Sequence, residues 1–377
     1  MIIVFIKNKL ISIDTIMPLL LEMKTLHNVS SRIVISQPLA YRLIGESVVL
    51  QDVINQTGKI IYLGKGVDRG LLRKLIIIFQ LFAILVHGVL GAKFIHFSAF
   101  NFWPLKIFGI IFNKNTFFSY GGIYIHKLAH VCNILRKNNK ILDPIGENII
   151  VYNNNDAYNS YKDTNKNIFF FGETRSRKVW RDYVKDNSDR YFESLNVEIN
   201  RKKGYIVYVL GPVIHANTFN IDKTSISDGF KRTLKILTSV LGGYKVLVKP
   251  HPSESDCDSI NWIQSQLDEY DEVFVLTSLH PTLLAIDAVL FISNSFSTVL
   301  GDAYRMGVPT IEFSDYNKKT LDLIKESNTD DLLVDHFINN DEVYLRKILS
   351  SYKGKNTRVH YMSDIIDDHS GLLDKLS

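Results

Sequence analysis

Short apolar strands alternate with helices along nearly the whole of this 377-residue chain. Clear strand candidates are IIVFI near the N-terminus, NIFFF at 167–171, YIVYVL at 205–210 and KVLVK at 245–249. Strands that are apolar on both faces are typical of parallel sheets covered by helices on either side. The alternation therefore predicts an α/β protein of the doubly wound, Rossmann-like kind.

A charged and polar segment, 173–203, interrupts this alternation and divides the chain in two. We interpret it as a helical connector that contains a domain boundary, since a chain of this length is typical of two domains. The predicted organisation is a Rossmann-like domain over 1–195, a second one over 203–340, and helices over 341–377 that are candidates for packing back on the first domain. Domains of this kind bind ligands at the carboxyl ends of their strands.

Charge and cysteine content limit the kinds of molecule that this protein is expected to bind. The 44 basic and 39 acidic residues leave a net charge of +5, which is too small in a chain of this length to indicate nucleic-acid binding. It suits a protein that handles anionic small molecules or rests near an anionic membrane. Cys132 and Cys257 are too few for a disulfide framework, and no Cys/His cluster has the spacing of a zinc site. We therefore expect a cytoplasmic protein without a metal cofactor.

The most apolar stretch runs from Leu75 to Ala92 and has 18 residues, close to the minimum for a membrane span. Three basic residues lie just before it, and such flanks attract anionic headgroups. A glutamine and a histidine inside the run, and a strand-like segment directly after it, argue against a span. Three interpretations stay open: a buried helix, a helix lying on the membrane surface, and a membrane-spanning helix.

The first motif with chemical content is Lys249-Pro250-His251-Pro252, directly after the strand KVLVK. The two prolines restrict the turn, and the imidazole of His251 is thereby held at the carboxyl end of a strand. A histidine there can donate a hydrogen bond to a phosphate or protonate a leaving phosphate oxygen, and Lys249 adds positive charge. The alternative is a loop histidine that caps the local backbone.

The second motif joins the strand DAVLFIS to a helix and places Ser293, Ser295, Ser297 and Thr298 within six residues. A hydroxyl-rich turn at a helix N-terminus presents free backbone N–H groups, O–H donors and the positive end of the helix dipole. These are the groups that bind phosphate. The alternative is ordinary N-capping, which needs only one serine.

Two carboxylates follow the hydroxyl-rich turn. Asp302 lies in the second turn of the helix, and Glu312 lies at the end of the next strand. Either is a candidate acceptor for the hydroxyls of a ribose, and the alternative for both is a structural carboxylate. Together the two motifs and the two carboxylates predict a nucleotide site in the second domain.

The turns KPHP and SNSFST resemble those of GT-B glycosyltransferases, as does the later Gly-Val-Pro sequence at 307–309 that leads into a strand. The resemblance is to the bacterial capsule and lipopolysaccharide enzymes that use CMP-activated sugars, namely Kdo transferases, sialyltransferases and polysialyltransferases. CDP-glycerol glycerophosphotransferases carry a similar pair of motifs. The specific motifs cover about residues 205–315. The resemblance implies two Rossmann-like domains that face each other across a cleft, with His251 and the four hydroxyls holding the nucleotide phosphate.

The resemblance also implies an activity. It is that of an inverting, metal-independent glycosyltransferase, which moves a sugar from a CMP-Kdo or CMP-sialic-acid type of donor to a glycan or lipid-linked glycan in capsule or O-antigen synthesis. The first domain would bind the acceptor, and the enzyme would work in the cytoplasm or peripherally at the inner membrane. The acidic pair followed by glycine that supplies the base in sialyltransferases is not recognisable here. Glu173 and Asp14, each after a strand, are the candidates for that role.

Three alternatives to a sugar transferase remain at the level of sequence. The first is a polyol phosphotransferase of the CDP-glycerol type. The second is a UDP-sugar 2-epimerase on the same scaffold, which needs no acceptor. The third is a nucleotide-binding assembly protein without catalysis, for which the missing base is the only support.

Overall fold

The structure is a computed structural model, and the chain divides into two compact units. The first takes in the described residues up to Tyr183 together with 371–377, and the second takes in those from Val184 to Gly354. The change of unit falls inside the charged segment 173–203. The structure describes residues 1–6, 10–65, 70–119, 144–152, 164–195, 197–211, 223–254, 256–270, 273–295, 297–318, 321–322, 334–354 and 371–377.

The first unit contains a seven-stranded sheet in which all neighbouring strands are parallel, in the order β3-β2-β1-β4-β5-β6-β7. The interior strand β1 is fully buried, as its apolar composition predicts. The strands are β1 Ile2–Ile6, β2 Ser31–Ile35, β3 Gly58–Tyr62, β4 Lys93–His96, β5 Thr116–Ser119, β6 Asn148–Val151 and β7 Asn167–Phe170.

The second unit contains a six-stranded parallel sheet in the order β10-β9-β8-β11-β12-β13. Counted from β8, this is the 3-2-1-4-5-6 order of a Rossmann sheet. The strands are β8 Tyr205–Val209, β9 Val246–Lys249, β10 Phe274–Leu276, β11 Ala288–Ser293, β12 Thr310–Ser314 and β13 His336–Asn339. The prediction of an α/β protein with two parallel sheets is therefore confirmed.

Helices connect the strands of both units. Those of the first unit are α1 Leu10–His27, α2 Pro38–Glu46, α3 Val48–Thr57, α4 Leu71–Val89, α5 Lys106–Ile111 and α6 Lys178–Asp186, whose last turn crosses into the second unit. Those that follow are α7 Ser188–Glu193, α8 Lys223–Val240, α9 Cys257–Leu267, α10 Pro281–Asp287, α11 Thr298–Arg305, α12 Glu342–Tyr352 and α13 Leu372–Leu376.

The C-terminal helices divide between the two units. The sequence made the whole of 341–377 a candidate for packing on the first domain. In the structure, α12 buries Leu345 and Leu349 in the core of the second unit, next to β13 and α8, while α13 belongs to the first unit. The reason is that α12 has its own apolar stripe at helical spacing, which completes the second unit's core.

Helix α4 covers the apolar run, and its environment contradicts the buried-helix interpretation. One face contacts the core of the first unit through residues such as Ile77 and Ile84. Nevertheless, only 11% of the most apolar 18-residue stretch of the helix is buried. Gln80 is used locally, since its side chain accepts a hydrogen bond from the Gly64 N–H (2.9 Å) and donates one to the Tyr62 carbonyl (3.3 Å). The opposite face is apolar and exposed to solvent.

Candidate functional site

The second unit has a topological switch point between its neighbouring strands β8 and β11. From β8 the chain continues to β9 on one side, and from β11 it continues to β12 on the other. Ligands of open α/β sheets bind outside the carboxyl ends of the strands at such a point. Gly211 follows β8 there, and Asn294 and Ser295 follow β11, so the hydroxyl-rich turn lies at the position where this sheet type binds ligands.

The two strand ends approach each other closely at Gly211. Its N–H donates a hydrogen bond to Asn294 Oδ1 (2.7 Å). A Cβ built on Gly211 would lie 1.9 Å from Ser295 Oγ and 3.1 Å from Ser295 Cβ, distances that no side chain tolerates without a shift of its neighbour. Glycine is therefore required here for the close approach itself.

The hydroxyls of the turn divide into two groups. Ser293 Oγ donates to the Ser295 carbonyl (2.6 Å) and accepts from the Ser295 N–H (3.4 Å), which shapes the turn. Ser297 is the N-cap of α11, where its Oγ accepts from the Val299 N–H (3.2 Å). Thr298 is half-buried at the first position of that helix. Two of the four predicted phosphate-binding hydroxyls thus hold the backbone of the turn.

Two polar atoms of the turn remain without a partner. Within the part of the chain that the structure describes, Ser295 Oγ and Asn294 Nδ2 are buried and make no hydrogen bond. Burying such a donor unsatisfied costs about 1–3 kcal/mol, so native proteins seldom keep one without a use for it. Both atoms belong to side chains that meet at Gly211, which makes the switch point a candidate site for a polar ligand.

Lys249 and His251 lie at the adjoining strand end. Register pairing aligns Lys249 with Val209 on β8, Val209 with Ser293 on β11, and Ser293 with Glu312 on β12. These four positions form one row across the sheet, about 14 Å from end to end at the usual strand spacing. Lys249 Nζ is 3.4 Å from the Ser278 carbonyl.

His251 is exposed, and its neighbours affect its protonation. Although the residue as a whole is exposed, protein atoms packed around its imidazole lower the pKa of His251 below its ordinary 6.5, and the nearby Glu254 carboxylate opposes this. The Glu254 N–H donates to the His251 carbonyl (2.9 Å), which fixes the backbone of the turn. An exposed imidazole at the end of β9 is accessible to an anionic ligand and can exchange a proton with it.

The two carboxylates lie deeper than the sequence suggests. Asp302 is 2% exposed and Glu312 is 1% exposed, so the structure favours a supporting role for both over direct contact with a ribose. Glu312 Oε1 accepts from the hydroxyls of Ser314 (3.0 Å) and Tyr316 (2.6 Å). Burial raises the pKa of Glu312 to about 7, and these two hydrogen bonds oppose the rise. The carboxyl group therefore carries a proton through much of the acidic range.

Glu312 leads to a prediction about stability and pH. The unfolded chain loses the Glu312 proton above pH 4.5, whereas the folded protein keeps it up to about 7, so unfolding releases a proton between these values. Its contribution to stability is present below pH 4.5 and is lost as the pH rises through 7, a change of about 3 kcal/mol. We expect the melting temperature of Glu312→Gln to fall less between about pH 5 and pH 8 than that of wild type, because glutamine mimics the protonated carboxyl group. Equal losses in the two proteins would refute this assignment.

Of the two candidate bases of the first unit, Asp14 pairs with the buried Arg175, and Glu173 directly precedes the turn that carries this arginine. Asp14 lies in α1, largely buried, and its Oδ2 is 3.6 Å from Nη1 of the buried Arg175. Glu173, half-buried, immediately precedes the single 3₁₀ turn Thr174–Ser176 that carries Arg175, and this turn packs on α1. Distant parts of the sequence thus form one charged cluster after β7.

A second buried ion pair holds the same turn in place. Arg177 Nε donates to Glu22 Oε1 on α1 (2.5 Å), and both side chains are about fully buried. Arg177 Nη1 also donates to the Phe171 carbonyl (2.7 Å), and the guanidinium lies over the Phe171 ring, 4.3 Å from its centroid. This arrangement fixes the position of the segment that presents Glu173.

Sequence reasoning missed the contributions of Gly211, Asn294, Arg175 and Arg177. A signal for Gly211 exists, since a glycine directly after an apolar strand often marks a close approach. The two arginines stand in a run that reads as a solvated connector, and nothing in their local pattern separates a buried arginine from an exposed one.

The structure was compared with known proteins. No protein-family model and no curated protein sequence matches the chain. Among solved structures, the UDP-GlcNAc 2-epimerase from Neisseria meningitidis bound to UDP-GlcNAc aligns with a TM-score of 0.59 and 11% identity, over 100% of this chain and 99% of that one. The UDP-N-acetylglucosamine 2-epimerase from Rickettsia bellii aligns with a TM-score of 0.54 and 12% identity, over 99% and 94%.

A glycosyltransferase from Rickettsia africae ESF-5 aligns with a TM-score of 0.50 and 10% identity, over 100% of this chain and 92% of that chain. These similarities extend over the full length and identify the fold as GT-B, as the sequence motifs predict. They include both glycosyltransferases and 2-epimerases, and they do not single out the transferases that use CMP-sugars.

Proposed function

We propose that this protein is a glycosyltransferase that takes its sugar from a nucleotide-activated donor bound by the second unit. The observation that carries the proposal is the switch point of the second sheet, where Ser295 Oγ and Asn294 Nδ2 lie buried beside Gly211 with no hydrogen-bond partner among the described residues. Hydrogen-bond donors in this position suit the phosphate of a nucleotide, since each hydrogen bond to a charged group contributes about 1.5–3 kcal/mol. The N-terminus of α11 adds the positive end of its helix dipole.

The proposed reaction is a displacement at the anomeric carbon of the donor sugar. An acceptor hydroxyl attacks this carbon, the bond from the carbon to the phosphate oxygen breaks, and the nucleotide leaves with the bonding electrons. A carboxylate of the first unit, Glu173 or Asp14, takes the proton of the acceptor hydroxyl. His251 donates a hydrogen bond or a proton to the departing phosphate oxygen, which is the step where negative charge develops.

The identity of the donor base and sugar belongs to the proposal. The KPHP and SNSFST turns support a CMP-sugar of the Kdo or sialic-acid type, whereas the solved epimerase of Neisseria meningitidis was bound to UDP-GlcNAc. We take CMP as the first nucleotide to test and UDP as the second. A glycan or lipid-linked glycan is the proposed acceptor. We further propose that no metal ion is needed, a point that EDTA tests directly.

Replacement of His251 by alanine should reduce nucleotide release by about 10³-fold, the usual contribution of a general acid. The assay measures nucleotide released from CMP-, UDP- and GDP-sugars, with and without added glycans. The matched control is His336→Ala, because His336 lies in the same unit at the amino end of β13, away from the switch point. Turnover by His251→Ala within about threefold of wild type would remove His251 from the mechanism.

A 2-epimerase is the second candidate, and the alignment with two epimerases over the whole chain favours it. An epimerase would convert UDP-GlcNAc without any acceptor, whereas a transferase would release the nucleotide only when an acceptor is present. Product analysis of UDP-GlcNAc incubated with the enzyme alone separates the two functions. Formation of the 2-epimer would replace the transferase proposal and leave the nucleotide site intact.

A further inference from the structure

Helix α4 has two apolar faces, and among the described residues only the inner face has a partner in the protein. The inner face packs on the core of the first unit and includes Gly88, where a Cβ would lie 2.6 Å from the Phe112 ring. The outer face consists of large apolar side chains that are each more than 40% exposed. They are Leu71, Leu72, Leu75, Ile78, Phe79, Phe82, Val86, Val89 and Leu90. Monomeric soluble proteins seldom expose such a continuous stripe unless it binds something.

The segment around this outer face is basic and contains no acidic residue. Between residues 70 and 119 the sequence has no Asp or Glu, and it has five basic residues, Arg73, Lys74, Lys93, Lys106 and Lys114. Lys74 and Lys106 are exposed at the starts of α4 and α5. An exposed apolar stripe with basic neighbours complements a lipid layer, which has apolar acyl chains inside and negatively charged headgroups at its surface.

Helix α5 extends the apolar surface on the same side of the sheet. Phe108 of α5 and Leu105 before it pack on the core cluster that the inner face of α4 also contacts. The next residues of α5, Ile110 and Ile111, are 63% and 58% exposed, and Trp103 before the helix is 75% exposed. Tryptophan is enriched at membrane–water interfaces.

We propose that the outer face of α4 docks the protein on an anionic lipid surface, with the helix lying in the plane of the membrane. A helix of 19 residues with aliphatic and aromatic side chains on one side can bury that side among the acyl chains while the exposed Lys74 contacts phosphate headgroups. The inner face stays in the protein core, and the Gln80 hydrogen bonds hold α4 to the β3–α4 turn. Both features favour a helix that lies on the membrane over one that spans it.

Charge complementarity selects lipid over a second copy of this chain. Pairing two outer faces would bring two acid-free, basic segments together with no carboxylate between 70 and 119 to compensate them. Anionic headgroups compensate the same charges without any such conflict. The inference concerns a surface separate from the switch point, so it stands or falls independently of the proposed activity.

The test is flotation of the purified full-length protein with vesicles of phosphatidylcholine alone and vesicles that also contain phosphatidylglycerol. The protein should float with the anionic vesicles, and less with the neutral ones. About 1 M salt should reduce binding to the anionic vesicles, because it shortens the screening length to about 3 Å. Protein that stays in solution with both kinds of vesicle overturns the proposal.

The variant Phe79→Gln/Phe82→Gln should lower binding to anionic vesicles by at least about tenfold, since two aromatic anchors are lost. The matched control is Val343→Gln, because Val343 is 80% exposed on α12 of the second unit. The control should bind like wild type, and all three proteins should give the same circular dichroism spectrum and melting temperature. Equal binding by the double variant and wild type overturns the proposal.

Sedimentation velocity without lipid tests the alternative that a second copy of this chain binds the outer face of α4. We expect a monomer, and we expect Phe79→Gln/Phe82→Gln to leave the sedimentation coefficient unchanged. A dimer that the double variant converts to monomer would assign the outer face to a second copy and overturn the membrane proposal. The variant Lys74→Gln/Lys106→Gln should weaken binding to anionic vesicles only, and equal weakening on neutral vesicles would contradict the role of charge.

Discussion

Replacement of Gly211 by alanine is expected to weaken nucleotide binding by about ten- to a hundredfold while the second unit stays folded. The new Cβ would lie 1.9 Å from Ser295 Oγ, so the hydroxyl must rotate away from its position beside Gly211. The hydrogen bond from the Gly211 N–H to Asn294 Oδ1 would be strained by the same crowding. The loss should appear in the dissociation constant, measured by isothermal titration calorimetry.

The control for Gly211→Ala is Gly229→Ala. Gly229 lies in α8 of the same unit, and nothing lies within 4 Å of a Cβ built there. Alanine should therefore leave nucleotide binding unchanged and stabilise the helix by up to about 1 kcal/mol. Ser295→Ala should reproduce most of the loss seen in Gly211→Ala. Wild-type affinity in both Gly211→Ala and Ser295→Ala would exclude this turn from the binding site.

The second large effect concerns the buried pair of Glu22 and Arg177. Glu22→Ala should lower the melting temperature of the first unit by about 10 °C, since breaking a buried ion pair costs about 3–5 kcal/mol and leaves a guanidinium without its counter-charge. Both residues are about fully buried, so solvent cannot replace the lost carboxylate. Differential scanning calorimetry measures the change as the shift of the first unit's transition.

A double variant distinguishes the cost of an unpaired charge from the loss of packing. Glu22→Leu/Arg177→Met replaces the pair by apolar side chains of similar length and should recover most of the lost stability. Because Arg177 also donates to the Phe171 carbonyl, recovery should be incomplete. A double variant less stable than Glu22→Ala would contradict the assignment of the cost to an uncompensated charge.

The strands were the most predictable part of the fold. Apolar segments such as YIVYVL and KVLVK are buried on both faces of a parallel sheet, so their composition carries the whole signal. The motifs also fell where their context predicts, since KPHP follows β9 and SNSFST joins β11 to α11.

The environment of helix α4 was harder to predict. Its sequence is apolar on all sides, which is equally typical of a core helix and of one that has a non-protein partner. Composition does not tell which face has a partner in the protein. The structure does, by packing Ile84 in the core and leaving Phe79 exposed.

Side-chain use at the site was also beyond the sequence. Four hydroxyls in six residues predict a phosphate-binding turn, but Ser293 and Ser297 bond to backbone and only the contact between strands singles out Ser295. Likewise, the sequence places Arg177 in a charged connector, and only the structure shows that it pairs with Glu22 of α1, 155 residues away in sequence. Long-range pairs of this kind depend on tertiary packing, which local pattern does not encode.

The central claim is that the second unit binds a nucleotide at its switch point, and a thermal-shift titration tests it most directly. Wild type, Gly211→Ala and Gly229→Ala are each titrated with CMP, CDP, UDP, GDP and ADP, with and without EDTA. A nucleotide at a hundred times its dissociation constant should stabilise wild type by about 2.7 kcal/mol. We predict a shift with CMP or UDP that Gly229→Ala keeps, that Gly211→Ala reduces to about half or less, and that EDTA does not change. A shift with none of the five nucleotides, or an equal shift in Gly211→Ala, would contradict the claim.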